Sequence, residues 1–197
     1  MKKTSKALLL MLCAVLLVAA SVLGTMAYLT STDTVTNTFT VGKVAITLDE
    51  APVDANGDRT SGNRVKANAY HLLPGHDYDK DPTVHVEANS ENCYLFVKVD
   101  NGISAFEDTT NSIASQITAN GWTGLSGVSG VYYKEHTKAT TSTDYVVFQT
   151  FKIADNAQSV NGWSSASSAK ITVTAYAIQK DGFETKSAEE IWADASF

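Results

Sequence analysis

The chain has 197 residues, 15 basic against 21 acidic, for a formal net charge of −6, and 44% of its residues are hydrophobic. An acidic balance argues against nucleic acid or anionic lipid as partners, since both reward basic surfaces. Only 3 prolines and 12 glycines argue against a disordered stalk or a collagen-like fibre.

The opening stretch, "MKKTSKALLLMLCAVLLVAASVLGTMA", has the three parts of a secretory signal. Lys2, Lys3 and Lys6 form the basic region, Ala7 to Leu23 is apolar apart from Ser21, and Thr25-Met26-Ala27 is a small-residue site. The expected cut lies between Ala27 and Tyr28. The alternative is a retained signal anchor, because about 17 apolar residues is near the lower limit for a span. Either way the basic end stays inside and the remainder is exported. Cys13 is preceded by Leu12 rather than a small residue, so a lipoprotein is not expected. Removing residues 1–27 leaves 170, enough for one domain with a real core. The removed part holds three lysines and no acids, so the mature balance is 12 basic against 21 acidic, a net of −9. Cys93 is then the single cysteine, in a strand-like setting, and reads as a small buried residue with no disulfide framework around it.

Next comes "TSTDTVTNTFTVG", with threonine at every even position from Thr30 to Thr40. Such alternation suits a strand, with apolar side chains entering only from Val35 onward. It fits an ordinary first strand, or a β-prone arm freed by cleavage that adds itself to a neighbour's sheet edge. Repeated head to tail, that contact grows an open filament.

The rest reads as short β-type runs separated by turns. "KVAITLDE" alternates Val44, Ile46 and Leu48 on one face. "APVDANGDRTSGNR" is a polar loop with a turn at Asn56-Gly57. "RVKANAYHLLPG" is a weaker predicted strand, ending at Pro74-Gly75, and "PTVHVEAN" alternates Val84 and Val86 before a turn at Asn89. "CYLFVKVDN" is apolar on both faces, so it is predicted to be buried on both sides for part of its length. "SIASQITANGW" spaces Ile113 and Ile117 for a short helix stopped at Asn120-Gly121. β-Type sequence resumes at Val131, and "DYVVFQTFKIA" and "AKITVTAYAIQKDG" are the clearest strands. Ser187 and Glu190 have capping-box spacing for a last short helix. The expectation is all-β: a β-sandwich with one or two short helices, preceded by a cleavable signal helix. Pattern alone leaves jelly-roll and immunoglobulin-like topologies both open.

Chemistry-bearing motifs are sparse. Asp54, Asn56 and Asp58 occupy alternate positions of a calcium-loop pattern, but Arg59 stands where that loop needs Gly and Val65 where it needs Glu. An Asn-Gly hairpin loop with Asx turns explains the stretch without a metal. His71, His76, His85 and His136 are scattered, with Glu87 on the face of His85 and no HExxH anywhere. No nucleophile elbow or phosphate loop occurs, so neither enzyme activity nor a cofactor is expected. The end, "EEIWADASF", carries no sorting signal of the LPxTG type, so no covalent wall anchor is expected.

One longer stretch resembles a known family. "MAYLTSTDTVTNTFTVGKVAITL" is similar to the start of the TasA/camelysin proteins, exported by Gram-positive, endospore-forming bacteria and their relatives. It shares their A-Y-[FL]-[ST] element in Ala27, Tyr28, Leu29 and Thr30, then N-x-F-[ST]-x-G in Asn37, Phe39, Thr40 and Gly42. "LLPGHDYDKDPTVHVEANSENCYLFVKV", "VYYK", "AYAIQKDGF" and the final "IW" resemble its later parts. The resemblance implies a signal peptide over 1–27 cut by a dedicated signal peptidase, an arm over 28–42 and a jelly-roll-like sandwich over 43–197. It implies a secreted protein of the extracellular matrix or cell surface that assembles with copies of itself into biofilm fibres. The polymerisation strand would run through Tyr28, Leu29, Thr30, Thr32, Thr34, Val35, Thr36 and Phe39. An accessory matrix or anchoring protein is a further partner it suggests. The alternatives are a camelysin-like surface metallopeptidase and a non-polymerising adhesin.

Overall fold

A computed structural model gives the structure of the chain and describes residues 3–29 and 42–195. The chain divides into two compact units, Met1–Thr40 and Val41–Phe197. Of the first, the described part is helix α1, Lys3–Leu29. Its side chains from Thr4 to Ala20 are exposed. Among the described residues no helix is long and apolar enough to cross a membrane.

The second unit is mostly antiparallel β-sheet with short helices. In chain order its strands are β1 (Ile46–Asp49), β2 (Asp77–Asp79), β3 (Thr83–Val86), β4 (Cys93–Asn101), β5 (Thr123–Gly124), β6 (Val131–His136), β7 (Thr143–Val146), β8 (Thr150–Lys152) and β9 (Ile171–Gln179). Helix α2 (Ile113–Ala119) lies before β5, and α3 (Ala188–Asp194) follows β9. The strands form a sheet of order β1-β3-β7, a sheet of order β5-β6-β4-β9 and a small β2-β8 ladder.

The two larger sheets feed one core. Val84 and Val86 of β3 meet Leu95, Val97 and Val99 of β4, with half-buried Ile46 and Leu48 of β1 and Ile171, Val173, Ala175 and Ala177 of β9 at its margin. The opposite face of β4 is apolar too: Tyr94 and Phe96 pack with Val131, Leu125 and the α3 residues Ala188 and Ile191. A strand covered on both sides needs apolar side chains at every position, and "CYLFV" supplies them. The expected burial of this strand on both faces is therefore met.

Local chemistry sets the helices. The Ser112 side chain accepts from the Ser115 N–H at the start of α2, and Asn120 closes it ahead of Gly121 at φ +78°. Ser187 and Glu190 form a reciprocal capping box at α3. "DYVVFQTFKIA" is two strands rather than one, because the chain leaves one sheet after Val146 and enters another ladder at Thr150. At the switch, Gln116 of α2 substitutes for a strand neighbour. Its Oε1 accepts from the Gln149 and Thr150 amides and its Nε2 donates to the Thr150 carbonyl at 2.9 Å. The predicted strand over "RVKANAYHLLPG" is not one either: Val65 makes a single bridge to Glu50, and 66–72 runs irregularly beyond it.

Candidate functional site

That irregular stretch walls a cleft of about 920 Å³. One side is Leu48, Asp49 and Glu50 at the end of β1 together with 66–72, and the other is Trp163, Ala166 and Ala169 to Val173 at the start of β9. Phe151 and Ile103 lie at its base, and Lys80 and Asn68 line it with polar groups. Both flanking strands are sheet edges. β9 pairs with β4 alone and β1 with β3 alone among the described residues. Each therefore lacks a ladder partner on one side among the described strands, beside half-buried apolar side chains, and on β1 the outward Leu48 carbonyl accepts from the Lys66 ammonium instead.

The cleft wall is held by charge rather than by a ladder. The Lys80 ammonium pairs with Glu50, and both are under a tenth exposed. The other Glu50 oxygen accepts from the Asn68 amide at 3.0 Å. Tyr70 donates its hydroxyl to the Asp79 carbonyl, and its ring lies 5.9 Å from the Lys80 nitrogen. Tyr78 accepts from the Leu73 amide at 2.6 Å and donates to the His71 carbonyl at 2.7 Å, while its ring stacks on Phe151 at 4.8 Å.

Beneath this lies a second cluster. Arg64 reaches Asp49 with Nε and Asp81 with Nη1 at 3.1 Å, and adds bonds to the Asp81 carbonyl and the Thr83 hydroxyl. Burial works against the Asp81 carboxylate, yet the Ala51 amide and the Arg64 and Arg59 guanidiniums hold it below the usual range. His85 sits centrally on its sheet, between Asp49 on β1 (2.8 Å) and Asp144 on β7 (2.6 Å). Burial disfavours the imidazolium, but hydrogen bonds and charge from Asp144 and Asp49 outweigh it and raise the pKa. The sequence pattern places Glu87 beside His85, whereas Glu87 pairs with Lys43.

The other sequence candidates fall as follows. Thr25, Ala27, Tyr28 and Leu29 lie in the last turns of α1 by backbone position. Thr30, Thr32, Thr34, Val35, Thr36 and Phe39, the remainder of the proposed polymerisation strand, lie outside the described residues. Asp54 spends its carboxylate on the Asn56 and Asp58 amides, and Gly57 turns at φ +85°, an Asx-type loop as the local pattern implies. Among the described residues no group of three or more His, Cys, Asp or Glu side chains is placed to hold a metal ion. The four histidines do not converge: His136 is buried against the Tyr145 hydroxyl, and His76 contacts the Asn56 carbonyl. Cys93 is fully buried, as expected, and burial pushes its thiol up to about 11. Sequence reasoning missed the Glu50, Lys80 and Asn68 cluster, whose members carry no local signature.

The fold and cleft thus define an antiparallel β domain with two open strand edges beside a part-apolar groove. Compared with known proteins, the chain matches no family model, no curated protein and no solved structure.

Proposed function

We propose that the chain is the precursor of a secreted structural subunit, a jelly-roll-like sandwich that polymerises by lending its N-terminal strand to the next copy. The observation that supports this best is the pair of open edges, β1 and β9, flanking one cleft. An incoming strand there would gain main-chain hydrogen bonds from an edge and bury the half-exposed faces of Ile171 and Val173. The donor would be the threonine-rich segment from Tyr28 to Thr40, released when the leader is cut before Tyr28. Its composition suits the role: high β-propensity, with Val35 and Phe39 as the apolar side chains that a groove can receive. Such a contact is heterologous, so it propagates into a fibre rather than closing as a dimer. Export to the extracellular matrix or cell surface belongs to the same reading, with the dedicated peptidase acting on Thr25 to Tyr28.

The test uses purified mature protein and negative-stain microscopy. Deleting residues 28–36 should abolish fibres while circular dichroism reports an intact monomer. Val173→Arg should do the same from the acceptor side, and mixing the two variants should not restore long fibres. Fibres of unchanged length from the deletion variant would overturn the proposal.

A further inference from the structure

Three features of the second unit lie outside that reading: the His85 clamp, the buried His136 beside Cys93, and the Glu50, Lys80 and Asn68 cluster. The last carries an inference through to chemistry, because its parts are those that acyl transfer between two side chains requires. We propose that Lys80 and Asn68 form an intramolecular isopeptide bond, with Glu50 as the acid–base group.

The geometry has four parts. Lys80 and Glu50 are 8% and 5% exposed, so the amine and the carboxyl meet away from bulk water. Glu50 holds both reactants at once, the Lys80 nitrogen on Oε2 and the Asn68 nitrogen on Oε1. The Asn68 amide is fixed in orientation, since the Val53 N–H must face its oxygen and the Ala51 carbonyl must face its nitrogen. That arrangement puts a backbone donor at 3.1 Å on the oxygen that becomes negative, and a carboxyl group on the nitrogen that must leave. Tyr70 closes the side of the amine with its ring.

The reaction balances without a co-reactant. The Lys80 ammonium gives one proton to Glu50, and the neutral amine adds to Asn68 Cγ. A C–N bond forms while the carbonyl pair moves to Oδ1 under the Val53 N–H. Glu50 then delivers its proton to the departing nitrogen and takes one from the Lys80 nitrogen. The Cγ–Nδ2 bond breaks and ammonia leaves. The remaining proton stays on Glu50 or departs with ammonia as ammonium. A buried ion pair, expensive to desolvate, is replaced by a neutral amide. The product ties segment 66–72 covalently to the start of the β2–β3 connection, in a chain whose two cysteines are both free. This inference stands independently of the fibre proposal, since it concerns the folded monomer.

Mass spectrometry decides it. The folded wild-type protein should weigh one ammonia less than its sequence. Its digest should contain a branched peptide joining Lys80 to Asn68, located by fragmentation. Lys80→Arg and Glu50→Gln should each remove the branch and restore the full mass. A succinimide at Asn56-Gly57 would also lose ammonia, but would persist in both variants and give no branch. Folded wild-type protein, held for days at neutral pH and yielding Lys80 and Asn68 only in linear peptides, would overturn the proposal.

Discussion

Gly57→Ala tests how tightly the cleft wall is coupled to the loop behind it. Gly57 has φ +85°, and a Cβ there would lie 2.3 Å from Tyr78 Cδ1, so the ring must move. The left-handed backbone alone costs an alanine about 1 kcal/mol. Tyr78 is 1% exposed, stacks on Phe151 and makes two hydrogen bonds that hold His71 and Leu73. Losing these, at about 1 kcal/mol for each hydrogen bond and for the aromatic pair, adds about 2–3 kcal/mol. Gly127 is the internal control: its φ is +76°, but a Cβ would meet nothing within 4 Å. Gly127→Ala should therefore show the backbone cost alone. For a domain of this size the two variants should differ by roughly 5–10 °C in melting temperature. In native hydrogen exchange the Leu73 amide should lose protection in Gly57→Ala and keep it in Gly127→Ala. Equal melting temperatures for the two variants would refute the coupling of Gly57 to Tyr78.

The His85 clamp predicts a pH profile. Its pKa is raised above the ordinary 6.5, so its contribution is complete below that value and is lost as pH rises through the folded value. Asp49 is depressed: burial opposes ionisation, but Arg64 and His85 outweigh it, so its share holds above 3.8 and is lost as pH falls through the folded value. Urea melts across pH should show stability declining on the alkaline side of 6.5, and Asp144→Asn should flatten that limb. Ile191→Ala, at a fully buried position on the inner face of α3, should cost about 2–5 kcal/mol in denaturant titration, and Ser187→Ala about 1 kcal/mol through loss of the cap. Cys93, buried with its thiol pushed up to about 11, should resist alkylation in the native protein and react fully in denaturant.

What could be read from sequence is what local chemistry decides. The twofold burial of β4 shows as an unbroken apolar run, and α2 and α3 show through Ile113, Ile117 and the Ser187–Glu190 box. "DYVVFQTFKIA" misleads because β-propensity is blind to which sheet a strand joins; the break depends on Gln116, more than thirty residues away, capping the switch. β2 is three residues with two aspartates, too short and too charged to register as a strand. "RVKANAYHLLPG" misleads for the opposite reason. Its β-like composition is real, but its bonding capacity is taken by side chains: Asn68 to Val53, Ala51 and Glu50, and Tyr78 to His71 and Leu73.

The cleft was illegible on the same grounds. In a sequence, Glu50, Lys80, Arg64 and Asp81 read as solvated loop residues, because charge is a good guide to exposure. Here Glu50, Lys80 and Asp81 stand just past the ends of β1 and β2, and Arg64 in the connection between them, where the ladders run out and irregular segments must still be fixed. A segment fixed by side chains leaves the neighbouring strand edge without a ladder, with only the Lys66 ammonium on the Leu48 carbonyl, whereas a paired strand would have closed it. The charged wall at 64–81 and the open edge of β1 are therefore consequences of one choice. A fold that pinned 66–72 as a strand on β1 would have had no cleft there, and no place for Lys80 and Asn68 to share the Glu50 carboxyl.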